Sequence, residues 1–131
     1  MSKRILLVDD EADFAFALQK TIEQAGYIVE SAHNGREAVG AYIQSLHTNK
    51  PFSLILLDIR LPYMNGVEVL DVIRKEELLR GMQPSNGVPV IMMTAYDKPW
   101  MDPSLVQGCA DYVLKSASNE ELLKKIREKL K

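Results

Sequence analysis

Short runs of continuous apolar residues, each bounded by polar or turn-forming residues, restrict the fold of this chain more than any other feature. The clearest runs are residues 5–8, 52–57 and 88–93. Runs of this length are typical of strands that are buried on both faces of a parallel sheet. Two weaker segments, residues 27–31 and 111–114, indicate further strands. The sequence therefore predicts five strands.

Helical patterns separate these strands. Phe14, Leu18 and Ile22 recur at four-residue spacing, and Gly26 follows at the position that a helix C-cap prefers. The other helices are predicted at about residues 36–46, 68–75, 103–107 and 118–130. The last of them begins with a capping box, in which Ser118 and Glu121 satisfy free backbone donors.

Alternation of strands and helices predicts a doubly wound α/β fold, with one parallel sheet covered by helices on both faces. We find no linker or repeat, so residues 1–131 are expected to form a single domain. In such sheets, ligands bind at the carboxyl ends of the strands, beside the point where the strand order reverses. The search for function therefore begins at those ends.

Composition excludes several classes of function. The net charge of −2 gives no electrostatic reason to expect direct nucleic-acid binding. The single cysteine, Cys109, cannot form an internal disulfide, which fits a reducing compartment. We find no apolar run that approaches the roughly 20 residues needed to span a membrane. These observations predict a cytoplasmic domain without a membrane segment.

Polar residues follow four of the predicted strands directly. They are Asp9 and Asp10, Asp58, Thr94, and Lys115. Each has an ordinary explanation by itself, since acidic residues cap helices, threonine often ends a strand and lysine is usually solvated. Parallel pairing would bring all of them to one edge of the sheet, and that coincidence is harder to explain by structure alone.

Their chemistry is mutually consistent. Three carboxylates with no compensating base nearby would repel each other, so they call for a hard divalent cation such as Mg²⁺. A carboxylate can also attack phosphorus and form an acyl phosphate. The new phosphoryl oxygens would then need a cation, a hydroxyl and an ammonium, and Mg²⁺, Thr94 and Lys115 supply one each. The set predicts a phosphoryl-transfer site.

Four segments together resemble the receiver domains of response regulators in two-component signalling, over essentially the whole chain. They are VDDE at residues 8–11, LDIRLPYMNG at residues 57–66, MTA at residues 93–95 and GCADYVLK at residues 108–115. The resemblance implies a flavodoxin-like fold of five β-α units with the strand order 2-1-3-4-5. It also implies a signalling switch rather than an enzyme acting on a separate substrate.

The resemblance implies a role for each residue as well. Asp58 would accept a phosphoryl group from the phosphohistidine of a sensor histidine kinase or a phosphotransfer protein. Asp10, Asp58 and the backbone carbonyl of Arg60 would bind Mg²⁺ directly, with Asp9 helping through water. Thr94 and Lys115 would contact the phosphoryl group. Thr94 and Tyr112 would move on activation and alter the binding of a downstream protein or output domain.

One residue departs from the family pattern, because Ser116 stands where the family usually has proline. A degenerate receiver that only binds proteins is therefore one alternative, although all the acceptor and metal residues are present. A haloacid-dehalogenase-type phosphatase would need a second aspartate where Arg60 stands. A flavodoxin-like flavin binder would need a phosphate loop where residues 9–11 are acidic. The receiver interpretation agrees best with the residues present.

Overall fold

A computed structural model of the protein describes residues 2–95 and 108–131. Its elements are β1 (Arg4–Val8), α1 (Ala12–Gln24), β2 (Ile28–Ala32), α2 (Gly35–Leu46), β3 (Leu54–Asp58), α3 (Gly66–Leu79), a 3₁₀ turn (Pro84–Asn86), β4 (Val90–Thr94), β5 (Asp111–Leu114) and α4 (Asn119–Lys129). The strands form one parallel sheet in the order β2-β1-β3-β4-β5. The predicted fold class and strand order are confirmed. The helix predicted at residues 103–107 lies outside the described residues.

Successive residues of each central strand point to opposite faces of the sheet, and each face has its own core. Leu6 and Val8 of β1 belong to a buried cluster with residues of α2 and α3. Ile5 and Leu7 belong to a second cluster with residues of α1 and α4. Both faces of β1, β3 and β4 are therefore buried, which explains why these strands are continuously apolar in sequence.

The helix ends follow the local sequence signals. Gly26 has a φ of +102°, the left-handed conformation expected just beyond the end of α1. The Ser118 hydroxyl accepts a hydrogen bond from the Glu121 N–H at the start of α4, which is the Ser118 half of the predicted capping box. A reciprocal capping box joins Asn65 and Glu68 at the start of α3, and it was not predicted. In the part of the chain that the structure describes, we find no helix long and apolar enough to cross a membrane.

Two strands begin two residues later than predicted. The third predicted run begins at Phe52, but β3 begins at Leu54 and ends at Asp58. The fourth begins at Val88, but β4 begins at Val90, after Pro89. Proline has no N–H to donate to a sheet, although its carbonyl still accepts a hydrogen bond from the Ile55 N–H. Phe52 and Val88 are buried because they pack in the core beside the sheet.

A buried polar network joins α2, α3 and the start of β4. The Glu77 carboxylate is 4% exposed and accepts hydrogen bonds from the Tyr42 hydroxyl at 2.5 Å and the Val88 N–H at 2.8 Å. The Arg74 guanidinium pairs with Glu77 at 2.8 Å and donates to the carbonyls of Val88 and Gly108. Burial, reinforced by Glu77, raises the pKa of Tyr42 above its usual value. The network holds the connections that lead into β4 and β5.

We expect Glu77→Ala to lower the free energy of unfolding by about 3 kcal/mol, because it leaves buried donors and the Arg74 charge without their acceptor. The matched control is Glu76→Ala, which removes a half-buried neighbour 4.0 Å from Arg80 and should cost no more than about 1 kcal/mol. Urea unfolding measures both variants. Equal losses for the two would contradict the importance of the network.

Candidate functional site

Parallel pairing brings the predicted residues to one edge of the sheet. Val8 pairs with Leu57, so Asp9 and Asp58 follow side by side on adjacent strands. Asp58 pairs with Met93, and Thr94 comes next on β4. The Lys115 N–H donates to the Thr94 carbonyl at 2.7 Å, which fixes the residue after β5 at the same edge. The strand order reverses between β1 and β3, where a ligand site is expected.

Gly66 permits a close backbone approach behind Asp58. Its N–H donates to the Ile59 carbonyl at 2.7 Å, and a Cβ atom at this position would lie 2.3 Å from the Asp58 carbonyl oxygen. Any larger residue would therefore push the start of α3 away from the end of β3. The glycine that closes the motif at residues 57–66 thus fixes the loop that follows Asp58.

Three carboxylates converge at this edge. Oxygens of Asp9, Asp10 and Asp58 lie within 4.8 Å of one another. Asp9 and Asp58 are 0% and 2% exposed, whereas Asp10 is exposed. The Arg60 N–H donates to Asp58 Oδ1 at 3.0 Å, and the Glu11 N–H donates to Asp9 Oδ1 at 2.8 Å. The backbone thus fixes the orientation of both buried carboxylates.

The Lys115 ammonium lies among these carboxylates. Its Nζ is 2.9 Å from Asp58 Oδ2, 2.9 Å from Asp9 Oδ2 and 2.6 Å from Glu11 Oε1. The sequence-based assumption that the carboxylates have no compensating base nearby is therefore wrong. Lys115 is distant in sequence, and only the pairing of β4 with β5 brings it to the cluster. One ammonium still leaves an excess of negative charge.

The surroundings raise the pKa of both Asp58 and Lys115, for different reasons. Burial raises the pKa of Asp58 to about 6, although the hydrogen bond and charge of Lys115 act the other way. Burial would lower the pKa of Lys115, but its hydrogen bonds to Glu11 and Asp58 and its close contact with Asp9 outweigh this and raise that pKa above its usual value. Lys115 therefore stays charged, and Asp58 is ionised at neutral pH at a cost to the fold.

The donor set fits a divalent cation. Asp9 Oδ2 is fully buried and, within the described ranges, accepts no hydrogen bond, because its contact with Lys115 has poor hydrogen-bond geometry. Lys115 offsets part of the charge at this oxygen from 2.9 Å, but a buried carboxylate oxygen that accepts no hydrogen bond is still costly. Oxygen ligands from several carboxylates are those that Mg²⁺ prefers. The residues predicted to bind metal are thus suited to Mg²⁺.

The remaining predicted residues occupy different settings. Thr94 ends β4, which pairs with β3, and is 1% exposed. Tyr112 lies on β5 and is 42% exposed, with the Lys125 ammonium 5.8 Å from its ring centre. Asp58, Asp9, Asp10 and Lys115 are brought together, whereas Tyr112 is a surface side chain.

Sequence reasoning missed two contacts of Lys115. Glu11 lies in the VDDE segment at residues 8–11, but no role was predicted for it, and Phe14 was predicted only to pack in a helix. The Phe14 ring centre lies 4.8 Å from Lys115 Nζ, close enough for a cation–π contact. The position of both residues just after an acidic pair was the only available signal, and it says nothing about a partner more than 100 residues away.

The chain matches known proteins over almost its whole length. Residues 5–127 match the family model of the response regulator receiver domain. The transcriptional regulatory protein YkoG of Bacillus subtilis is 39% identical over 97% of this chain and 50% of its own length. The alkaline phosphatase synthesis transcriptional regulatory protein PhoP of the same organism is 34% identical over 97% of this chain and 48% of its own length. The chain thus spans about half the length of these curated relatives.

Solved structures agree with the fold. The response regulator protein TrrA of Thermotoga maritima, solved in complex with Mg²⁺ and BeF, has a TM-score of 0.81 and 30% identity, covering 98% of this chain and 99% of its own. A CheY-like response regulator receiver domain protein from Methanospirillum hungatei has a TM-score of 0.76 and 33% identity, covering 99% of this chain and 94% of its own.

The raised pKa of Asp58 predicts that Asp58→Asn stabilises the metal-free protein. The folded-state pKa of about 6 exceeds the ordinary value of 3.8, so the native state binds more protons between these values. Stability contributed by this group therefore falls as pH rises from about 4 to 6, and the full cost is present above pH 6. At pH 7.5 with a chelator, we expect the variant to gain about 1–2 kcal/mol.

Urea unfolding from pH 4 to pH 8 measures this gain, which should vanish toward pH 4. The control is Asp71→Asn, since Asp71 is an exposed aspartate that pairs with Lys75 on the surface of α3. A pH-independent difference between wild-type protein and Asp58→Asn would contradict the assigned cost.

Proposed function

The chain belongs to the response regulator receiver domains of two-component systems, and we propose that Asp58 is its phosphoryl acceptor. The observation that carries this proposal is the buried Asp58 carboxylate, which lies 2.9 Å from the Lys115 ammonium at the switch point of the sheet. A receiver domain is a signalling switch that receives a phosphoryl group and passes on a change in binding. We propose that residues 1–131 act as one such domain.

We propose the following transfer step. A carboxylate oxygen of Asp58 attacks the phosphorus of a phosphohistidine, and the P–N bond breaks with its electron pair on the imidazole, which leaves as neutral imidazole with one ring nitrogen protonated. Asp58 becomes an acyl phosphate, and the negative charge at the site then lies on the phosphoryl oxygens. The Lys115 ammonium donates to one of these oxygens, and the Thr94 hydroxyl at the end of the neighbouring strand donates to another.

Asp9, Asp10, Asp58 and the backbone carbonyl of Arg60 would hold Mg²⁺. When bound, this ion supplies positive charge that offsets the clustered carboxylates and favours an anionic phosphoryl group. The convergence of Asp9, Asp10 and Asp58 and the poorly satisfied Asp9 Oδ2 support this assignment. The complex of TrrA with Mg²⁺ and BeF supports it by similarity.

The proposed partners follow from the family. A sensor histidine kinase or a phosphotransfer protein in the cytoplasm would donate the phosphoryl group, and a downstream protein or output domain would respond. The switch would act through Thr94, which is buried beside the acceptor. It would also act through Tyr112, whose exposed ring would move on activation. The domain carries a net charge of −2, so we propose that it does not itself bind nucleic acid.

Acetyl phosphate with Mg²⁺ should phosphorylate the protein at one site, because the chain itself carries the nucleophile and the groups that stabilise the product. Intact-mass spectrometry should show one added phosphoryl group. The adduct should be absent in Asp58→Asn and after chelation of Mg²⁺, but present in Asp71→Asn, which changes an exposed aspartate on α3. Undiminished labelling of Asp58→Asn would refute the assignment of the acceptor.

A further inference from the structure

Glu11 contacts the Lys115 ammonium from outside the proposed transfer machinery. Its Oε1 is 2.6 Å from Lys115 Nζ, closer than either Asp9 or Asp58. The Glu11 side chain is 64% exposed, whereas the Lys115 side chain is 10% exposed. A nearly buried ammonium is thus held partly by a carboxylate that faces water.

The hydrogen bonds of Lys115 limit what it can do at one time. An ammonium has three N–H donors and no acceptor. In the described state, one donor serves Glu11 and one serves Asp58. The 2.9 Å contact with Asp9 adds attraction without good hydrogen-bond geometry. Three carboxylates thus surround the ammonium, and a phosphoryl oxygen on Asp58 would compete for it with Glu11, the carboxylate at the shortest distance.

The other contacts keep Lys115 at the site when Glu11 is neutralised. The Phe14 ring lies beneath the ammonium at 4.8 Å, and the buried Asp9 and Asp58 carboxylates attract it from the sheet side. Loss of the Glu11 charge would thus free a donor without letting the lysine chain swing away. The opposite effect, in which a misplaced lysine weakens binding, requires those three contacts to fail as well.

Glu11 can release the lysine with little disturbance of the fold. Its backbone N–H donates to Asp9 Oδ1 at 2.8 Å, and its backbone is the N-cap of α1. Both features are independent of its side chain. After release, the exposed carboxylate is solvated by water at small cost.

We propose that Glu11 is a positioning residue. It competes with the phosphoryl group for Lys115 and so makes the phosphorylated state less stable. This inference rests on the proposed function, because it requires a phosphoryl group on Asp58. In the unphosphorylated protein, Glu11 draws the ammonium toward the surface. In the phosphorylated protein, the phosphoryl oxygens take over that donor.

Calorimetric titration with beryllofluoride, a mimic of the phosphoryl group, tests the competition at saturating Mg²⁺. We expect Glu11→Gln to bind about two- to fivefold more tightly than wild-type protein, the range for an exposed ion pair. The control is Asp13→Asn, which removes one negative charge from the first turn of the same helix. Asp13 is exposed and, in residues 2–95 and 108–131, makes no ion pair with Lys115. The Asp13→Asn variant should bind beryllofluoride less tightly than the Glu11→Gln variant.

A spectroscopic readout separates competition from a general effect of charge. In ¹H–¹⁵N spectra of the lysine ammonium groups, the Lys115 signal should differ between wild-type protein and Glu11→Gln before beryllofluoride is added. The two signals should converge at saturation, because the phosphoryl mimic has then replaced Glu11 as the partner.

The outcomes distinguish this inference from the proposed function. Equal affinities of wild-type protein and Glu11→Gln, or an equal gain in Asp13→Asn, would overturn the role of Glu11 alone. Lys115 signals that stay as far apart at saturation as before would do the same. Failure of wild-type protein to bind beryllofluoride would overturn the proposed function and this inference together.

Discussion

The placement of one ammonium among buried carboxylates is the constraint on which the site depends. Asp9 and Asp58 lie at the ends of neighbouring strands with almost no exposure, and Lys115 bridges them at 2.9 Å. Burying like charges costs free energy, and one lysine offsets only part of it. The part of this cost that Lys115 does not offset is seen in the raised pKa of Asp58. The fold thus keeps an anionic cluster that a divalent cation and a phosphoryl group would each change.

The sheet makes this placement possible. Pairing of Val8 with Leu57, and of Thr94 with Leu114, aligns the ends of four strands, so that residues far apart in sequence meet at one edge. At the opposite end of the sheet, the network around Glu77 connects α3 to Val88, just before β4, and to Gly108. The core on both faces holds the strands in register between these two polar ends. The free energy for the site therefore comes from apolar packing elsewhere.

Sequence patterns predicted most of the fold because its signals are local. Continuous apolar runs gave the strands, and Gly26 and Ser118 gave helix ends that the structure confirms. Glu77 was not predictable in the same way. Glu76 and Glu77 are adjacent and chemically alike, but only Glu77 faces Tyr42 and the Val88 N–H, which come from other elements. Likewise, the set of site residues could be proposed from the strand ends, whereas the contacts of Glu11 and Phe14 with Lys115 depend on side-chain positions across the sheet edge.

A crystal structure of the protein with Mg²⁺ and beryllofluoride tests the central claim most directly. The account predicts the beryllium on a carboxylate oxygen of Asp58, with Thr94 and Lys115 donating to fluorine atoms. It also predicts the metal ion between Asp10, Asp58 and the Arg60 carbonyl. Beryllofluoride bound at another residue, or Lys115 still paired with Glu11 and Asp58 as in the free protein, would contradict it.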